Sequence, residues 1–276
     1  MKTVLIADSV RFPRMNTEEL RESFLLHDLY QAGQVNMVYT DLDRAVIGYA
    51  APLAEALKLP TWPELRAEYF TERRELGALN IGGPGVIRVG SSSYEVNNLD
   101  VLYIGRENSE VSFASKDVTN PAVFYLLSYP AHAVYPVSLV RKQDAFSAEL
   151  GSLENCNKRT ICRYIHKDGA KSSQLVMGVT HLHTGSCWNT LPSHTHNRRT
   201  EVYMYFNFGD DARVFHLMGQ PTETRHLVLS TRDVTLSPGW SIHTGVGTKA
   251  YSFCWGMGGE NQDYGDMDPA PLDIMR

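Results

Sequence analysis

From Gly77 to Gly105 the chain runs in short apolar stretches, Leu79-Asn-Ile, Val86-Ile-Arg-Val and Val101-Leu-Tyr-Ile, broken by Gly82-Gly-Pro-Gly and Gly90-Ser-Ser-Ser. Apolar runs this short between glycine-rich breakers are the pattern of antiparallel hairpins and leave no room for a long helix. Further strands are expected over Glu110 to Ser115 and Val123 to Ser128. The segment from Pro136 to Lys158 is charged and weakly periodic and reads as a connection or strap. Strand pattern then resumes through Arg159-Thr-Ile-Cys-Arg-Tyr-Ile, Leu175-Val-Met-Gly-Val-Thr, Ala212-Arg-Val-Phe-His-Leu, His226-Leu-Val-Leu and Ala250-Tyr-Ser-Phe-Cys-Trp. The expected architecture is mainly β: two β units in tandem over 1–136 and 159–276, with a connection over 137–158. Helices are few and short. One opens at Asn16, where Glu19 three positions on completes a capping box ahead of an apolar stripe. A second is expected from Pro63 to Tyr69, with proline in its first turn.

The segment that carries chemistry is Pro192-Ser-His-Thr-His-Asn-Arg-Arg-Thr-Glu. His194 and His196 are two apart, so a strand aims both rings to one face, whereas a helix would turn them about 200° apart. The following Glu201-Val-Tyr-Met-Tyr-Phe-Asn-Phe is breaker-free and suits a strand buried on both faces, with Glu201, Tyr203 and Tyr205 sharing one face. Downstream, Pro238-Gly239-Trp240-Ser241-Ile242-His243 is a Pro-Gly turn leading to a histidine. Three imidazoles and a carboxylate suit a borderline divalent ion, leaving zinc, manganese, iron and nickel open. The arrangement resembles the metal signature of the cupin superfamily, which makes the two β units cupin-like jelly rolls. The usual motif glycine stands further off, Gly185 lying nine residues ahead of His194. The first unit has no His-x-His and is expected to be a metal-free copy serving structure or assembly. His181 and His183 also share a strand face; they are a competing ligand pair or simply polar strand positions.

Composition narrows the partners. The chain has 276 residues, 43% hydrophobic and 21% charged, with a net charge of -5. Such a chain can build a large core, and it lacks the basic footprint of nucleic-acid binders. Small molecules are the expected partners. No apolar run approaches the ~20 residues that span a bilayer, and the apolar stretch from Thr3 is cut short by Asp8, too brief for a secretory leader. A cytoplasmic protein is therefore expected. Cys156, Cys162, Cys187 and Cys254 show no C-x-x-C spacing and are expected to be free thiols.

Longer blocks carry a closer resemblance. Ser193 to Phe206, Phe215 to His226, Trp240 to Tyr251 and Trp255 to Gln262 with Met267-Asp268 are similar to the 5-keto-4-deoxyuronate isomerases, ketol-isomerases of pectin and uronate breakdown. Upstream the similarity includes Glu72 to Gly77, Asn80 to Gly83, Phe113 to Ser115 and Pro130 to Pro136, so it covers nearly the whole chain. Departures lie at Ser193, often cysteine in that family, at Asn197 and Thr200, and from Ala51 to Tyr69. The resemblance implies a two-part cupin-like fold, one Zn2+ per subunit on His194, His196, Glu201 and His243, and a homo-oligomer, a hexamer. It also implies conversion of 4-deoxy-L-threo-5-hexosulose uronate to 3-deoxy-D-glycero-2,5-hexodiulosonate.

That conversion moves a carbonyl from C1 to C2, so a base must remove a proton beside the carbonyl and a donor must return one. Glu223 is the candidate base, with Lys249 and Tyr251 as donors. For the substrate carboxylate the nearest cations in sequence are Arg198, Arg199 and Arg225, any of which offers a bidentate fork. Structural pairings compete with each role, Glu223 with Arg225 among them. Two other functions fit a three-His, one-Glu site: a metal-dependent dioxygenase and a non-catalytic sugar-acid-binding cupin.

Overall fold

All 276 residues are described in a computed structural model, and they divide into two compact units. The first comprises Met1–Thr3, Leu29–Phe146 and Tyr164–Val176; the second comprises Val4–Asp28, Ser147–Arg163 and Met177–Arg276.

In the first unit a seven-stranded sheet runs in the order Lys2–Val4, Val35–Thr40, Val46–Ala50, Phe124–Pro130, Arg74–Asn80, Val101–Ile104, Ser138–Val140. A four-stranded sheet runs Leu57–Lys58, Val111–Ser115, Gly85–Val89, Ser92–Val96. One apolar cluster joins them, with Val46, Leu76, Leu102 and Leu126 from the larger sheet against Ile87, Val96 and Phe113 from the smaller. Alternating side chains of two sheets meeting in one core make a β-sandwich.

The second unit repeats this order. Its large sheet runs Phe146–Leu150, Arg159–Ile165, Val176–Leu182, Ser252–Gly259, Arg199–Phe206, Val234–Ser237, Leu25–Leu26. Its small sheet runs Trp188–Asn189, Ile242–Gly247, Val214–Gln220, Glu223–Leu229, and a two-stranded ribbon pairs Ser193–Thr195 with Asp268–Ala270. The fold is mainly β and cupin-like, two jelly-roll units with little helix.

Register relates the two units residue by residue. The hairpin closing at Val89 and Ser92 corresponds to the one closing at Gln220 and Glu223. Counting back, Ile87 corresponds to Met218, so Phe113, paired with Ile87, stands where His243 is paired with Met218. Leu76 is the third residue of Arg74–Asn80, as Glu201 is the third of Arg199–Phe206. The positions of Glu201 and His243 in one unit are thus taken by fully buried apolar residues in the other.

The unit boundaries differ from the expected 1–136 and 159–276. The helix Thr17–Phe24 forms with its expected capping box, Asn16 Oδ1 accepting from the Glu19 amide at 3.0 Å and Glu19 Oε2 from the Asn16 amide at 2.9 Å. It belongs to the second unit, because Leu25 and Leu26 pair with Thr235 and Val234 at that sheet's edge. Phe24 then sits 6.2 Å from Trp240 and 5.7 Å from Phe12, ring to ring. The expected connection also holds strands: Ser138–Val140 edges one large sheet and Phe146–Leu150 the other. The helix expected from Pro63 is only a 3₁₀ turn, Pro63–Leu65, ended by Arg66 in the left-handed region. No helix is long and apolar enough to cross a membrane. All four cysteines are free.

Candidate metal centre

His194 lies in Ser193–Thr195, His196 just beyond it, Glu201 in Arg199–Phe206 and His243 in Ile242–Gly247. The period-2 alternation of strands turns the first pair inward together. The large sheet contributes the carboxylate and the small sheet the third imidazole. One donor atom from each lies within 4.8 Å of all the others. His194 Nε2 is 3.1 Å from His196 Nε2 and 3.0 Å from His243 Nε2. Glu201 Oε2 is 3.1 Å from His196 Nε2 and 2.8 Å from His243 Nε2. Glu201, His196 and His243 are buried and His194 partly so.

Proton bookkeeping shows what these atoms want. His196 Nδ1 faces the Asp266 carbonyl at 2.7 Å and His243 Nδ1 the Ser241 carbonyl at 3.4 Å. A carbonyl only accepts, so both Nδ1 atoms carry the hydrogen and both Nε2 lone pairs point at the cluster. Bare nitrogens facing one another and a carboxylate oxygen repel unless a cation lies among them. Neighbouring donors around an ion with bonds of about 2.1 Å are roughly 3.0 to 3.4 Å apart, close to the spacings found. The set fits a divalent ion. Burial, then the neighbouring His243, pushes His194 down to about 3. Burial by itself would raise the Glu201 carboxyl, but the close approach of His243 and then His196 holds it below the usual carboxylate range.

A cavity of about 210 Å³ opens on this cluster, with His194, His196, Glu201 and Tyr203 at one end. Phe253, Trp255 and Met257 of one strand, Thr180 of the next and Arg159 and Ile161 of the one beyond form its wall, with Thr190, Tyr264 and Met267 from loops. Residues two apart on each strand face it, as the pleat requires. Gly178 is part of the device, since a Cβ there would overlap the Trp255 indole and the Cys162 carbonyl. Gly178→Ala is expected to lower stability by about 1–3 kcal/mol through overpacking. It should also raise KM as Trp255 shifts; thermal unfolding and steady-state kinetics on the purified variant check both.

The other residues singled out in the sequence lie elsewhere. Arg198 is spent on Asp266, 2.7 Å from its Nε, and on both oxygens of Asp268 at 3.0 Å. Arg199 is buried behind His196 and donates to the Asp266 carbonyl at 2.8 Å. Glu223 and Arg225 pair with each other at 2.7 Å on the edge strand of the small sheet, outside the cavity lining. Lys249 is exposed and pairs with Asp211. Tyr251 is buried and gives its hydroxyl to Asn189. None of these lines the cavity. His181 and His183 also stay apart from the cluster, bonded to Ser252 and Thr160 at 2.8 Å. The sequence reading missed Arg159, Tyr264 and Thr190. The alternation of Arg159 with Ile161 was its only trace of the first, and nothing local ties either to the metal motif.

The KduI/IolB family profile matches residues 25–270. The chain belongs to the KduI/IolB family. Relatives named 4-deoxy-L-threo-5-hexosulose-uronate ketol-isomerase share 51% identity in Lachnoclostridium phytofermentans, over 94% of each chain, and 47% in Caldicellulosiruptor bescii, over 95% of each. One from Pectobacterium carotovorum subsp. carotovorum is 46% identical over 94% of this chain and 95% of its own. With such relatives along nearly its full length, this KduI/IolB chain is an isomerase. Among solved structures, an IolB-like protein from Salmonella typhimurium LT2 superposes with a TM-score of 0.70 at 13% identity, covering 87% of this chain and 94% of its own. An oxalate decarboxylase from Lactobacillus farciminis gives 0.61 at 11% identity, covering 87% of both. At these identities the likeness extends to the KduI/IolB fold alone.

Proposed function

We propose that this KduI/IolB protein is a metal-dependent ketol-isomerase that converts 4-deoxy-L-threo-5-hexosulose uronate to 3-deoxy-D-glycero-2,5-hexodiulosonate in uronate breakdown. Its metal is zinc, held by His194, His196, Glu201 and His243, and it works as a cytoplasmic homo-oligomer, a hexamer. The observation that carries the reading is a cavity ending on bare imidazole and carboxylate donors, in a chain 51% identical to a protein named for this activity.

The reaction moves a hydrogen from C2 to C1, while the C2 hydroxyl loses its proton and the C1 oxygen gains one. A divalent ion, when bound, supplies Lewis-acid polarisation of a carbonyl and its neighbouring hydroxyl. The chain supplies hydrogen-bond donors and an apolar wall. Tyr203 and Tyr264 are the phenols of the cavity, and burial followed by the charge of Glu201 raises both pKa values, so each stays protonated near neutral pH. They donate hydrogen bonds to substrate oxygens and do not act as bases. Tyr203 is held in place by Thr190 at 3.0 Å. Phe253, Trp255 and Met257 keep water from the reacting carbons, which strengthens each of these bonds.

The test incubates the metal-replete protein with 4-deoxy-L-threo-5-hexosulose uronate, with and without chelator, following products by NMR and oxygen by electrode. Chelator-sensitive formation of the 2,5-diulosonate without oxygen uptake is expected. Conversion unaffected after complete metal removal would overturn the metal dependence. Absence of conversion by the metal-loaded protein would overturn the substrate.

A further inference from the structure

The substrate of the proposed reaction carries a carbonyl at one end and a carboxylate at the other, so a cavity holding the first at the metal cluster needs a cation at a fixed distance for the second. We propose that Arg159 is that cation: it anchors the substrate carboxylate and sets the enzyme's selectivity for sugar acids over neutral sugars. The inference rests on the isomerase reading and deepens it.

Two observations carry it. First, Arg159 is the lysine or arginine that lines the cavity, whereas Arg198 and Arg225 are committed to carboxylates and Arg199 is sealed behind His196. Second, its guanidinium is half-buried with no carboxylate within 4 Å. One terminal nitrogen donates to the Asn157 carbonyl at 2.9 Å, and the remaining edge of the fork has no protein acceptor. A partly desolvated guanidinium without a counter-charge is costly, and a planar carboxylate is the ligand that fork matches. Burial also pulls its pKa below the usual arginine value, the cost already borne by the free protein.

Thr180, Trp255 and Met257 line the cavity on the two strands that lie between the strand of Arg159 and that of Glu201.

The experiment compares wild type, Arg159→Met and Arg159→Lys on the uronate and on its analogue with a primary alcohol in place of the carboxylate, with metal content measured for each. For Arg159→Met, KM for the uronate should rise about 10- to 100-fold with a smaller change in kcat, as expected for losing a charge-assisted fork. KM for the neutral analogue should not move, and metal content should stay full. Arg159→Lys, which keeps the charge without the fork, should fall between. If Arg159→Met weakened acid and neutral substrates alike, Arg159 would be a tether for Asn157 and the proposal would fail. An unchanged KM for the uronate would also overturn it while leaving the isomerase reading intact. Failure of wild type to convert either compound would sink both.

Discussion

Replacing His243 by alanine is expected to abolish metal retention and lower turnover by at least about 10³-fold, while the protein remains folded. The ligand comes from a strand already held on both sides, by Val214–Gln220 and by Trp188–Asn189, through backbone pairs that do not involve the imidazole. Removing the ring leaves those ladders untouched and leaves a small cavity beside Tyr203, whose ring stands 5.5 Å from that of His243. The loss falls on the cation, since two imidazoles and one carboxylate bind a divalent ion far less tightly than the full set, and the Lewis-acid contribution goes with it. Elemental analysis after dialysis, circular dichroism and size-exclusion chromatography separate the outcomes. A variant that kept its full metal content would show that His243 is not the fourth ligand.

The largest stability effect is expected at Glu75 in the first unit. Its carboxylate is fully buried and accepts from Tyr103 Oη at 2.8 Å and from the backbone amides of Ser173, Gln174 and Leu175 at 2.6, 2.8 and 2.7 Å. This explains why residues 164–176 belong to the first unit although the sequence around them is continuous with strands of the second. Burial, then Glu75 itself, holds the Tyr103 phenol protonated, so it can only donate. Glu75→Ala leaves four donors, two of them buried and two half-buried, without an acceptor. Each such loss costs about 1–3 kcal/mol, with partial relief from entering water, for a total of about 3–5 kcal/mol. Glu75→Gln should also be destabilising, because the amide nitrogen turns a donor toward donors. Urea unfolding followed by tryptophan fluorescence and far-ultraviolet circular dichroism measures the change. A shift below about 1 kcal/mol would mean that water replaces the carboxylate there without strain.

The tandem arrangement gives both predictions a common frame. The same strand carries Glu75 beside Leu76 in one unit, and the matching strand carries Glu201 in the other. Where the second unit gathers donors between its sheets, the first packs Leu76 and Phe113 in their place and spends its buried carboxylate on holding a loop. One framework thus supports a site in one copy and a closed apolar core in the other.

How much of this was legible in the sequence follows from range. The strands between Gly77 and Phe253, the capped helix at Asn16 and the pairing of His194 with His196 are written in neighbouring residues. Period-2 alternation, glycine breakers and an N-cap act within a few positions, so the chain declares them without reference to the rest of the fold. Long matched blocks likewise carried the family. What the sequence could not declare is which distant surfaces meet. Glu223, Lys249 and Arg225 stand close to the ligands along the chain, yet the small sheet turns them outward to partners such as Asp211. Arg159, 35 residues before His194, enters the same cavity because two intervening strands bring its edge of the sheet around. Leu25 and Leu26 cross from the N-terminal segment to finish the second unit's sheet. The sequence by itself determined the strands, the ligand types and the family. The tertiary structure decided which charge faces the cavity and where each unit begins, because strand order and register are fixed by long-range pairing and burial that no local pattern records.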